Sequence, residues 1–202
     1  SCKGRGFCPS CMTRRMHDVA FHLTDRLLPM APYRQWVLSF PGPLRFRLAF
    51  DAKLLRACVA LAVKAIFRWQ RGQARGLGLP KSLTGAIAFV QRFDSAVRLF
   101  PHVHLVVPDG VFASPPEGSP RFHKLPPPSA NDLEAIATRI VRRTRALFER
   151  TGVFTDGDAT IQLPQGLLLE PPPDPRPLPQ PEIPQERRER RSAAVDGFSL
   201  DA

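Results

Sequence analysis

Residues 100–106 read FPHVHLV, a run of β-formers in which two histidines flank a single hydrophobic residue. On a strand, whose side chains alternate with a period of two, Val103 turns into the core. His102 and His104 then point together at one spot on the other face. One spot with two neutral imidazoles is a place to hold a divalent metal. The same spacing also arises where each ring only makes a local hydrogen bond, so the flanking sequence has to decide between the two readings.

The 202 residues suffice for one domain with a sizeable core, plus a small appendage. No apolar run approaches the ~18 residues needed to span a bilayer. No secretory signal opens the chain. The expectation is a cytoplasmic chain with no membrane partner. Its net charge of +11 is unevenly distributed: residues 1–75 carry fourteen Lys or Arg against Asp18, Asp25 and Asp51, whereas residues 76–202 carry fifteen of each sign. An arginine-rich first third suits a polyanion, because phosphate contacts release counterions and favour forked guanidinium donors. This points to nucleic acid rather than to a merely solvated basic face, with Arg5, Arg14 and Arg15 as candidate DNA contacts.

The opening segment SCKGRGFCPSCMTRRM contains Cys2, Cys8 and Cys11. Cys8-Pro9-Ser10-Cys11 has the spacing of a zinc knuckle, which aims two thiolates at one ion. A structural Zn²⁺ takes four ligands and only three cysteines lie here; His17 and His22 fall within an expected helix. The segment therefore reads as the second half of a zinc ribbon whose first cysteine pair would precede Ser1. A redox CxxC is the weaker reading, since no strand precedes it and no βαβ pattern surrounds it.

Downstream, residues 12–28 fit a helix with Met16, Ala20, Leu23 and Leu27 on one stripe, ended by Pro29 and Pro32. RQWVLSF (34–40) reads as a strand closed by Pro41-Gly42-Pro43. Residues 50–71 form a second helix with Phe50, Leu54, Cys58, Leu61, Ala65 and Trp69 on one face, which makes Cys58 a core residue. TGAIAFVQRF (84–93) and residues 97–107 read as two strands joined at Asp94-Ser95, with a turn at Asp109-Gly110 before a further extended piece. A third helix follows, capped by Ser129 or Asn131, with Leu133, Ile136, Ile140 and Leu147 inward and Gly152 at its end. From Pro164 the chain is proline-dense and then charged, an extended arm. The expected fold is α+β: a small antiparallel sheet with helices on one face. The expected divisions are 1–16 (zinc-ribbon remnant), 17–160 (palm) and 161–202 (arm).

CKGRGFCPSC followed by RRM, then RQWVLSFP, VQRFDSA and HVHLVVPDGVF, in that order, resembles the transposases of rolling-circle insertion sequences. These are the IS91-like, two-tyrosine HUH enzymes with an N-terminal zinc-binding region. The likeness covers roughly residues 2–150 and recurs at DGFSL (196–200). It implies a palm that nicks one strand of transposon DNA through a covalent 5′-phosphotyrosyl link. His102 and His104 would hold Mg²⁺ or Mn²⁺, with Gln91 as first candidate for a third ligand and Asp94, Asp109 and His123 as alternatives. Zn²⁺ would belong to Cys2, Cys8 and Cys11, and the DNA partner would be single-stranded transposon ends. The family nucleophile would lie on a helix downstream of DGFSL. Tyr33, the one tyrosine here, lies outside that motif and reads as a turn-packing aromatic. The expectation is a chain truncated at both ends that binds DNA and metal without forming the covalent intermediate. Its rivals are a non-catalytic DNA-binding protein with structural histidines and a degenerate remnant.

Overall fold

In the computed structural model the described residues are 9–115, 118–152 and 192–202. They fall into two compact units, Ser1–Tyr33 and Arg34–Ala202. In the first, helix α1 (Pro9–His22) runs into a π-helical turn over Leu23–Leu27. The Leu28 amide closes that turn on Leu23 O at 2.8 Å, and the Thr24 hydroxyl donates to Ala20 O at 3.1 Å. A single regular helix over 12–28 is therefore not what forms: its last turn is widened. Met16 and Leu27 of the expected apolar stripe are exposed.

The second unit is the α+β fold expected from the sequence. Its elements are β1 (Tyr33–Ser39), α2 (Gly42–Phe50), α3 (Ala52–Gly76), β2 (Ser82–Leu83), β3 (Ile87–Phe93), β4 (Leu99–Pro108) and β5 (Gly110–Ala113). Then follow β6 (Arg121–Lys124), α4 (Ala130–Arg150), β7 (Ser192–Val195) and β8 (Phe198–Asp201). A five-stranded sheet has the order β3-β4-β1-β8-β7, and β2-β5-β6 form a smaller one. Pairs β3/β4, β1/β8 and β7/β8 are antiparallel.

One face of the large sheet builds the core. Trp36 and Leu38 from β1, Val103, Leu105 and Val107 from β4, and Phe198 and Leu200 from β8 are buried together with Leu48, Ile66, Leu133, Ile140 and Phe148 from α2, α3 and α4. Trp36 meets Trp69 of α3 edge-to-face, with centroids 5.9 Å apart. Cys58 lies in this core, and burial, reinforced by the Asp51 charge, pushes its thiol up to about 12. It is a packing residue, as its place on the apolar stripe requires.

Two elements depart from the sequence reading. Pro41-Gly42-Pro43 is not a closing turn but the start of α2, where a proline in the first helical turn forfeits no hydrogen bond. Asp51 then breaks the helix that was expected to run continuously through 50–71. Its carboxylate caps α3 by accepting from the amides of Lys53 at 3.0 Å and Leu54 at 2.9 Å. At α4 the cap is Ser129, in a reciprocal box: Ser129 Oγ accepts from Asp132 N and Asp132 Oδ2 accepts from Ser129 N.

The second departure is residues 192–202, assigned above to the arm. They form a hairpin whose β8 strand sits inside the sheet beside β1. Its turn places Asp196 at φ 49° and Gly197 at φ 77°, the two left-handed positions of a type I′ turn. Asp196 also pairs with Arg145 of α4 at 2.9 Å, and Phe198 packs edge-to-face on Phe40. Residues 161–191 of the expected arm lie outside the described residues.

Candidate functional site

The face of the large sheet turned away from the core carries the histidines. In the β3/β4 register Gln91 stands opposite His102 and Phe89 opposite His104, so all four side chains share that face. The pairing shifts register between Gln91 and Phe93, a local irregularity at the edge of the cluster. His102 and His104 lie with ring centroids 5.0 Å apart.

Each ring has its own partner. His102 Nδ1 is 2.7 Å from the carbonyl of Phe100. A carbonyl only accepts, so Nδ1 carries the proton and Nε2 keeps a free lone pair. His104 Nδ1 is 2.6 Å from Gln35 Nε2, a residue of the neighbouring strand β1. An amide nitrogen donates, which leaves the His104 proton on Nε2. With the amide turned over, Oε1 accepts from an Nδ1–H and the Nε2 lone pair is freed. Gln35 thus sets the tautomer of His104. Burial, and then the proximity of His102, holds the His104 pKa below the ordinary imidazole value, which favours the neutral, ligating form.

Arg45 of α2 borders the pair. Its guanidinium lies 4.0 Å from the centre of the Phe100 ring, while its Nε donates to Phe40 O at 3.0 Å. Phe100 in turn lies 5.6 Å from the His102 ring. A cation, two imidazoles and two side-chain amides therefore converge on one side of β4.

The other sequence candidates are placed elsewhere. Asp94 is committed to the β3–β4 turn, accepting from the amides of Ala96 and Arg98 and pairing with the Arg98 guanidinium at 2.8 Å. Asp109 takes a forked contact from Arg34 at 3.0 and 3.2 Å. His123 lies on β6, opposite Val111 in the smaller sheet. Among the described residues no three His, Cys, Asp or Glu gather around one point. Gln91, opposite His102 on β3, has the register to stand beside the two histidines. Tyr33 donates its hydroxyl to Pro29 O at 2.7 Å, as a turn-packing residue does. Arg14 and Arg15 are exposed on α1, and Cys11 lies in its first turn. Cys2, Arg5 and Cys8 lie outside the described residues.

Gln35 and Arg45 were not singled out from sequence. Gln35 is the polar residue before Trp36 in RQWVLSF, but only the adjacency of β1 and β4 reveals that it reaches His104.

Comparison with known proteins finds transposase domains in the chain. Residues 1–40 match the transposase zinc-binding domain of the IS91 type, and residues 85–149 match the transposase family model Y2_Tnp. The chain belongs to the IS91-like transposases. The second match contains β3, β4 and both histidines. Neither the curated proteins nor the solved structures yield a match. As an IS91-like transposase the chain serves DNA transposition, with DNA as its partner and Zn²⁺ as the metal of its N-terminal domain. No helix among the described residues is long and apolar enough to cross a membrane.

Proposed function

We propose that the open face of this transposase is an HUH site, in which His102, His104 and Gln91 hold Mn²⁺ or Mg²⁺ against a phosphate of single-stranded DNA. The supporting observation is that His102 Nδ1 meets the Phe100 carbonyl, which leaves its Nε2 lone pair free to ligate, and that His104 Nδ1 meets the Gln35 amide, which frees Nε2 in the same way once Oε1 is turned to the ring. The donor set fits such an ion: two neutral nitrogens and an amide oxygen, with Mn²⁺ preferred over Mg²⁺ by the nitrogens. When bound, the ion supplies Lewis-acid polarisation of the phosphodiester. The protein's own part is to fix the imidazoles, to present Arg45 as a nearby cation, and to keep His104 neutral.

The 202 residues contain no tyrosine beyond Tyr33. Burial raises the Tyr33 pKa and its proton is held by Pro29 O, the opposite of an activated nucleophile. This chain accordingly binds DNA and metal without forming a phosphotyrosyl link. Cys2, Cys8 and Cys11 provide three of the four thiolates or imidazoles that a structural Zn²⁺ takes.

Two measurements test this reading. Calorimetry with Mn²⁺ should give a binding isotherm that His102→Ala and His104→Ala abolish; unchanged binding removes the metal site. Incubation with labelled single-stranded terminal DNA and Mn²⁺ should give no covalent adduct on a denaturing gel. An adduct would show that Tyr33 is the nucleophile after all.

A further inference from the structure

Helix α2 presents aromatic rings to solvent. Phe50, its last residue, is 74% exposed, and its ring lies 4.8 Å from that of Phe46 one turn earlier. Leaving the Phe50 ring in water against a half-buried Phe46 forgoes one of the larger gains in folding and keeps that ring available to a partner. These two rings line an open groove of about 600 Å³ at the junction of α2 and α3, together with Arg47, Asp51, Lys53 and Arg56.

The charges around the rings are nearly all of one sign. Asp51 is the single acid, and its carboxylate is engaged with the amides of Lys53 and Leu54 as the α3 cap. Arg47 approaches it only to 4.0 Å. Arg56 gives its Nε to Ala52 O, which leaves the rest of its guanidinium fork uncommitted in that bond. Among the described residues neither Lys53 nor Arg56 is ion-paired. Aromatic faces flanked by cations are what a single strand of nucleic acid needs, one element for each base and one for each phosphate. In a duplex the π-faces are stacked inside and cannot lie on Phe50.

We infer that the Phe46–Phe50 groove is a second DNA site, which stacks an unpaired base on Phe50 and holds its flanking phosphates with Arg47, Lys53 and Arg56. The inference rests on the single-strand reading above and extends it. Arg45, which lies over Phe100 beside the His102 ring, is the residue before Phe46, so α2 links the two sites.

Fluorescence anisotropy of a labelled oligo-dT, measured on the full zinc-loaded chain with no Mg²⁺ or Mn²⁺ added, tests the groove separately from the histidines. Phe50→Ala should weaken single-strand binding about tenfold or more, the loss of one stacked base, and leave duplex binding within about twofold. Phe50→Trp should restore affinity, and the introduced indole should be quenched by the strand. Lys53→Ala and Arg56→Ala should each lower the salt slope, which Phe50→Ala leaves alone, because stacking releases no counterions. Thermal midpoints identify any variant that fails to fold, and Phe50→Trp carries the test if Phe50→Ala does. Single-strand affinity unchanged in Phe50→Ala, or an equal loss for duplex, overturns the groove and leaves the histidine site standing. A wild-type chain that binds no single strand without added metal overturns the groove, and one that binds none with Mn²⁺ present overturns the histidine reading as well.

Discussion

Gln35 Nε2 of β1 lies 2.6 Å from His104 Nδ1 of β4, so a residue 69 positions away in sequence decides which nitrogen of His104 carries the proton. Removing that partner by Gln35→Leu should weaken Mn²⁺ binding roughly 10- to 100-fold, the usual cost of losing the group behind a ligating histidine. Gln35→Glu should preserve or tighten it, because a carboxylate only accepts and fixes the proton on Nδ1. Calorimetry measures both, and ¹⁵N NMR of the imidazole reads the tautomer directly. Equal affinity in wild type and Gln35→Leu would show that the contact is structural only.

The pH dependence follows from the same ring. His104 has a folded-state pKa below its ordinary 6.5, so between those values the unfolded chain binds more protons than the folded one. Its contribution is therefore fully present above about 6.5 and declines as the pH falls below that value. Denaturant midpoints measured from pH 7.5 down to 5.5 should fall, and His104→Gln should flatten that part of the profile. A profile identical in the two proteins would assign the acid sensitivity to other groups.

Gly197 is held at φ 77°, and a Cβ there would stand 2.8 Å from Pro41 Cβ. Gly197→Ala should therefore cost about 1–2 kcal/mol from the left-handed backbone alone, with the contact adding to it. Chemical denaturation measures the loss. Gly118→Ala, in the loop before β6 at φ 113° and with no atom of the described residues closer than 3.7 Å, is a control for backbone strain without the contact.

The α4 capping box supplies a simpler test. Ser129→Ala removes the acceptor for Asp132 N and should cost about 1 kcal/mol. Burial alone would raise the Asp132 pKa, but the hydrogen bonds from the Ser129 hydroxyl and amide hold it below the usual carboxylate value. The Asp132 carboxylate should thus titrate closer to its ordinary value in the variant, as carboxyl ¹³C NMR would record.

Arg14 and Arg15, both exposed on α1, test the basic first third. If both meet phosphates, replacing them by Ala should lower the slope of log affinity against log salt by roughly one for each arginine, for every DNA sequence alike. An unchanged slope would assign the excess charge of residues 1–75 to other arginines.

Local patterns were legible and non-local pairings were not. The alternation in FPHVHLV located β4 and the side of the strand on which the histidines lie, since period two is written in the chain itself. Ser129 or Asn131 before an apolar stripe at helical spacing likewise announced α4, and the structure selects Ser129 as the cap. α2 was missed because Pro41-Gly42-Pro43 has the composition of a turn, and only the packing of Leu44 and Leu48 into the core makes its proline an opening residue. The hairpin at 192–201 did carry a signal, Asp-Gly between SAAV and FSL, but the proline-dense stretch before it drew the whole segment into an arm. Gln35 could not be recognised without the strand order, which nothing in RQWVLSF encodes.

The position of β8 also has a consequence for how the chain is made. β1 and β8 are hydrogen-bonded neighbours, yet Phe198 leaves the ribosome long after Ser39. At ordinary rates of synthesis that interval is on the order of ten seconds. Throughout it one edge of β1 has no native strand beside it and is open to pairing with a stranger. The nascent transposase is thus vulnerable to misassembly at the strand that carries Gln35, and that danger ends only when a hairpin translated long after it arrives.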